Sequence, residues 1–369
     1  MWLYYFLLMY ILCFGFIFKL KLSITKRKTV YLFATFGLFF LLSALRSSYV
    51  GNDTEEYLRV FRNIASSKDF SGYLWRFEKG YLYLNKILSY ITMNQQIILI
   101  ITSLIIMYGF ARFIFKYSKS PVLSTYLFFT FGYYGMTMNT IRQSIAIVIL
   151  LYSYDFLRNR RLIKFVLMVI IASLFHRTAI FFLLAVFITK LRYNKKTLFL
   201  FAITSFALYG LFEYIFKFMI NIFPTYTYYV ESIYLDGNIR MASIINMFVA
   251  ICVIIIGIMT KYHKTEMYDR ELRGLNNPLD GQNYLMLILT GISITFVSFN
   301  FNLLDRVGDY FLIYMIVYLP NSIIRLKNRE LRTIIYYLII ILFFVYATTI
   351  IIFRPEWSGI YPYSFHWNH

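Results

Sequence analysis

Cysteine is scarce. The chain holds two, Cys13 and Cys252, each inside an apolar run, a placement that excludes a disulfide framework and a cysteine metal centre. Acidic side chains are also few: 17 Asp and Glu stand against 37 Lys and Arg, for a net charge of +20. No outer segment carries a His/Asp/Glu cluster with ligand spacing, so neither a metal nor another cofactor is called for. Gly/Ser linkers, low-complexity tails and repeats of solenoid period are missing, which leaves one integral domain over residues 1–369 as the simplest partition. The first apolar run, Met1 to about Leu20, lacks a basic start and a small-residue cleavage site, so it reads as a retained helix and not a signal peptide.

What the chain has in abundance is apolar length. Of 369 residues 60% are hydrophobic, 21% aromatic and 15% charged, with runs near 20 residues from end to end. That composition predicts an all-α, polytopic integral membrane protein in the lipid bilayer of the cell membrane. Twelve spans are expected, at about 1–20, 29–46, 96–115, 122–138, 141–157, 162–175, 177–190, 197–216, 241–260, 283–303, 307–324 and 333–353. The short ones meet in pairs at Arg142 and His176, which suggests re-entrant or buried junctions. Alternate loops (19–28, 112–119, 158–164, 190–196, 261–273 and 325–332) hold 24 of the 37 basic residues and are therefore assigned to the cytoplasm. Both termini, the long loops at about 46–95 and 213–240, and the tail 354–369 then lie outside. The positive charge reports orientation and anionic head groups, and nucleic acid is not an expected partner.

Polar residues interrupt the apolar runs three times in the same manner. Arg142 and Gln143 follow Asn139 and Thr140, His176 and Arg177 follow Phe175, and Asp305, Arg306 and Asp309 open the eleventh span. A charge at a membrane boundary is costly unless it faces a polar cavity or a partner, so such residues mark functional sites by default. The alternative for Arg142 is a helix-end arginine that snorkels to the head groups. In the first outer loop, Gly51-Asn52-Asp53-Thr54 offers a turn and helix start before Glu55 and Glu56. Farther on, Glu78 precedes an aromatic amphipathic segment that could equally be an interfacial helix on the outer leaflet. The run Phe223 to Tyr229 is either an interfacial tyrosine belt or a set of rings that stack on sugars.

Taken in order, these segments resemble the EpsG family of polysaccharide biosynthesis proteins, relatives of the Wzy-type O-antigen and capsule polymerases. The matching pieces are Gly51-Asn52-Asp53-Thr54 with Tyr57, Glu78 with Gly80 and Tyr81, Arg142-Gln143-Ser144-Ile145-Ala146, Phe175-His176 with Ala179, and Gly359-Ile360-Tyr361-Pro362-Tyr363. The first half of the chain carries most of the resemblance. The second half matches in hydropathy, in Arg306 and in the tail.

The resemblance implies an enzyme that joins polyprenyl-pyrophosphate-linked oligosaccharide repeat units into capsule, O-antigen or exopolysaccharide on the outer face, with a chain-length regulator and a flippase as pathway partners. Such chemistry needs cations for the leaving pyrophosphate more than it needs an acid. Arg142, Arg177 and Arg306, with Gln143, suit that work because a guanidinium binds phosphate oxygens bidentately and stays charged. The acceptor hydroxyl must lose a proton, and Asp53, Glu78 and His176 are all candidate bases. Two other classes compete: a flippase that moves lipid-linked oligosaccharide without chemistry, and a membrane acyltransferase, which would open its site to the cytoplasm. Few charges lie in mid-span, as a flippase path would need; Asp155, near the basic turn at Arg158 and Arg160, is the main exception.

Overall fold

A computed structural model describes residues 1–67, 69–222, 239–264 and 280–367. The aromatic run 223–229 and most of the basic loop at 261–273 lie outside the described residues. The described chain is helical without a named strand; one isolated bridge pairs Arg46 with Phe365. It divides into two compact units, residues 1–180 with 327–369, and residues 181–326.

The first unit contains α1 (Trp2–Cys13, extended by a 3-10 turn to Lys19), α2 (Ile24–Ala44), α3 (Thr54–Ser66), α4 (Lys79–Ser89), α5 (Gln96–Tyr117), α6 (Pro121–Thr130), α7 (Tyr133–Asn139), α8 (Ile141–Arg158) and α9 (Leu162–Ser173). A 3-10 helix, Arg177–Leu184, leads into the second unit, which holds α10 (Ala185–Ile188), α11 (Lys195–Gly210), α12 (Phe212–Ile222), α13 (Met241–Met259), α14 (Asp280–Val297), α15 (Asp305–Leu312) and α16 (Met315–Ile324). The chain then returns to the first unit with α17 (Arg329–Phe353).

Five helices are long and apolar enough to cross a bilayer: Trp2–Lys19, α2, α5, α13 and α17. Two bent pairs, α11 with α12 (61°) and Asn302–Leu312 with α16 (41°), raise that to as many as seven. The remaining expected spans fall on shorter or more polar helices. The run at 122–138 breaks at Phe131 and Gly132 into α6 and α7, and 177–190 is largely 3-10. In 141–157 a single helix forms, but Arg142, Asp155 and Arg158 keep it polar at both ends.

Within the first unit, α5 is antiparallel to its neighbours. At one end Lys28 of α2 donates to the carbonyls of Ser118 (2.7 Å) and Phe115 (3.3 Å). Asp155 of α8 accepts there from Arg112 (2.8 Å), Lys116 (2.5 Å) and the Tyr117 hydroxyl of α5. At the other end the Gln96 amide donates to the carbonyls of Ala44 (2.7 Å) and Arg46 (3.1 Å). Antiparallel packing thus gathers the basic ends of α2 and α5 beside Asp155 and leaves the Arg142 end of α8 opposite. The second unit packs α14 against α13, α15 and α16, with Asp305 accepting from the Ser243 and Ser298 hydroxyls.

Candidate functional site at the Arg142 end of α8

Glu78 is the hub. It stands in extended conformation immediately before α4, and its two carboxylate oxygens are divided between two chain segments. Oε2 accepts from Arg142 Nη1 in the first turn of α8, while Oε1 accepts from the backbone N–H of Arg177 at 3.2 Å. The Arg142 guanidinium lies 4.6 Å from the centre of the Phe77 ring and also donates to the Arg76 carbonyl at 3.3 Å. The Tyr57 hydroxyl of α3 faces the same guanidinium. Arg142 Nε–H is buried and has no hydrogen-bond partner among the described residues. Cation–ring stacking and a charge-assisted hydrogen bond fix the plane of the fork, so Arg142 is ordered and does not trail toward water.

Backbone contact brings α9 to this point. The Gly80 N–H donates to the Leu174 carbonyl at 2.8 Å, and a Cβ on residue 80 would sit 2.7 Å from that oxygen. Only glycine lets the two main chains approach so closely. The turn after α9 then presents His176 and Arg177. The His176 ring is buried, with Nδ1 2.7 Å from the Thr178 hydroxyl, and Arg177 Nη2 donates to the Leu74 carbonyl at 2.9 Å. Arg76 pairs with Glu56 at 2.9 Å and Arg62 with Glu55 at 2.7 Å, so these α3 carboxylates are matched by nearby arginines.

Of the residues expected from sequence, Glu78, Arg142, His176 and Arg177 therefore come together. Gln143 is buried beside them in α8. Asp53 is exposed just ahead of α3, one turn from Tyr57, whose N–H it accepts at 3.2 Å. Arg306 belongs to the second unit, in the first turn of α15. Among the described residues no group of three or more His, Cys, Asp and Glu could hold a metal ion.

Two residues without a role in the sequence reading organise the surroundings. Arg46 is almost fully buried and donates to the carbonyls of Ser43 and Met138 (3.2 Å) and to Thr54 Oγ1 (3.2 Å). Asn139 donates to the Ser358 carbonyl at 2.8 Å and accepts from the Asn52 N–H at 2.5 Å. Together with Gly51 N–H to the Gly359 carbonyl (2.9 Å) and Ser47 N–H to the Ser364 carbonyl (3.0 Å), these bonds clasp the Gly51 turn, the end of α7 and the tail. An amide at the end of an apolar run, three residues before Arg142, was the available signal for Asn139.

The first unit thus presents an arginine-lined, carboxylate-organised site at one end of a helical membrane bundle. The chain belongs to the EpsG family, whose profile matches residues 28–365. Membership points to polysaccharide biosynthesis by a multi-pass membrane protein. Neither a curated protein nor a solved structure matches the chain.

Proposed function

We propose that the protein is a membrane glycosyltransferase of the polysaccharide polymerase class, joining polyprenyl-pyrophosphate-linked oligosaccharide units on the outer face of the cell membrane. The observation that carries this reading is the Arg142 guanidinium: a membrane-boundary cation held in one plane by Glu78 and Phe77, with a buried Nε–H free of hydrogen bonds. In the reaction the acceptor hydroxyl attacks the anomeric carbon of the donor, the bond from that carbon to the pyrophosphate oxygen breaks, and the pyrophosphate leaves with the electron pair. Arg142 and Arg177 stabilise that developing charge, and being already oriented they need little rearrangement to do so.

The proton of the acceptor hydroxyl passes to a base. Both oxygens of Glu78 are engaged by the arginine segments, which suits a positioning residue better than a proton acceptor. His176 and Asp53 are the remaining candidates. The Thr178 hydroxyl orients the His176 ring through Nδ1, and we assign the base to this histidine.

Deleting the gene and identifying the lipid-linked glycan that accumulates tests the class. Single repeat units exposed on the outer face are the expected result. Units trapped on the inner face would replace this reading with a flippase, and unmodified full-length polymer would exclude both.

A further inference from the structure

We infer that α4 is an interfacial helix whose outward face lies in the head-group and acyl boundary of the bilayer, on the side that carries Glu78 and Arg142. Both faces of α4 are rich in apolar side chains. The inner one, with Tyr81, Leu82 and Leu88, is buried, and α3 is its neighbour. The outer one, Tyr83, Ile87 and Tyr90 with Ile91 beyond the helix end, is 56, 58, 78 and 72% exposed. Steps of four and three residues place the first three on a single stripe. Scattered exposed apolar residues need no explanation, whereas a continuous stripe opposite a buried face needs a cover.

The chain itself indicates that the cover is lipid. Only residues 90–95 connect α4 to α5, and six residues reach at most about 20 Å. The start of α5 is level with the end of α2, because the Gln96 amide is bonded to the Ala44 and Arg46 carbonyls. Two candidate spans therefore end at one plane, and α4 is tethered to it. The stripe also continues toward the exposed apolar face of α5 at Leu104, Ile105 and Tyr108.

Composition agrees with an anionic membrane surface. Between Lys79 and Gln95 there are two lysines and no acid. Lys86 is 5.4 Å from the Tyr90 ring, and an exposed tryptophan, Trp75, precedes the helix. Tyrosine and tryptophan with flanking lysine are the side chains that favour this depth. A consequence, resting on the proposed function, is that a helix fixed at the interface holds Glu78 and the two arginines at the level of a lipid-linked pyrophosphate.

The test uses the full chain with Cys13→Ser and Cys252→Ser, labelled with an environment-sensitive fluorophore at Tyr83→Cys or, independently, at Ile87→Cys. Both side chains lie outside the buried core, and Asn63→Cys on the exposed face of α3 is the aqueous reference. In vesicles of phosphatidylcholine and phosphatidylglycerol, a shallow spin-labelled lipid should quench the labels at 83 and 87 several-fold more than the label at 63. Iodide in the water should show the reverse order. Iodide quenching at 83 and 87 equal to that at 63 would overturn the inference, and so would shielding from both water and lipid, which would mean a protein cover such as a second copy.

Discussion

At residue scale the decisive feature is that Arg142 is held at several points by a planar fork. Lysine keeps the charge but neither the fork nor the stacking over Phe77. Arg142→Lys is therefore expected to lose at least about tenfold in polymerisation rate, equivalent to about 1.4 kcal/mol, at normal abundance in the membrane. Parental rates in membrane vesicles would make Arg142 a snorkelling anchor. The roles of Glu78 and His176 separate by pH. A missing base matters less as pH rises, because ionisation of the acceptor hydroxyl recovers, whereas a lost positioning contact is not restored. Purified His176→Ala enzyme should regain part of its rate between about pH 7 and pH 9, with lipid-linked substrate at saturation so that weakened binding does not pass for lost chemistry. Glu78→Ala and Arg142→Ala should stay flat. Recovery by Glu78→Ala instead would return the base to the carboxylate.

At the scale of elements, the clasp of the Gly51 turn, α7 and the tail explains why sequence pieces far apart belong to one site. Gly359 has φ +59, and a Cβ there would overlap the Asn52 side-chain oxygen. Gly359→Ala should cost about 1–3 kcal/mol through the strained backbone, seen as a lower unfolding temperature in detergent with the helix content of the folded state unchanged. An unchanged midpoint would show that the tail does not hold the turn. This level was only half legible in the sequence. Charges at the edges of apolar runs located Glu78, Arg142 and His176 correctly as neighbours of one another, because a buried charge must find a partner wherever the chain can supply one. The Arg46 cage was not legible, since two of its three partners are main-chain carbonyls, which every residue possesses. Hydropathy likewise sees apolar length but not the break at Phe131 and Gly132, nor the bends near Leu211 and Ile313, where a run that reads as one span becomes two helices.

On the scale of the whole molecule, the charge distribution makes a claim about sidedness. In the first unit the basic stretches 19–28, 112–119 and 158–164 belong to the end where Lys28, Arg112, Lys116 and Asp155 meet. Arg142 lies thirteen residues before Asp155 in the same helix, about 20 Å away at 1.5 Å per residue, so the Glu78 site occupies the opposite end. If the basic end faces the cytoplasm, as positive charge retained on that side requires, the site opens outside. In a background without Cys13 and Cys252, an impermeant thiol reagent should label Arg59→Cys in intact cells and Lys164→Cys only after permeabilisation; both side chains are exposed. The reverse pattern would turn the Arg142 site toward the cytoplasm. Lipid-linked repeat units awaiting polymerisation on the outer face could not then reach it, and a transferase using a cytoplasmic donor, such as an acyltransferase acting on glycans, would become the better account of the same arginines and histidine.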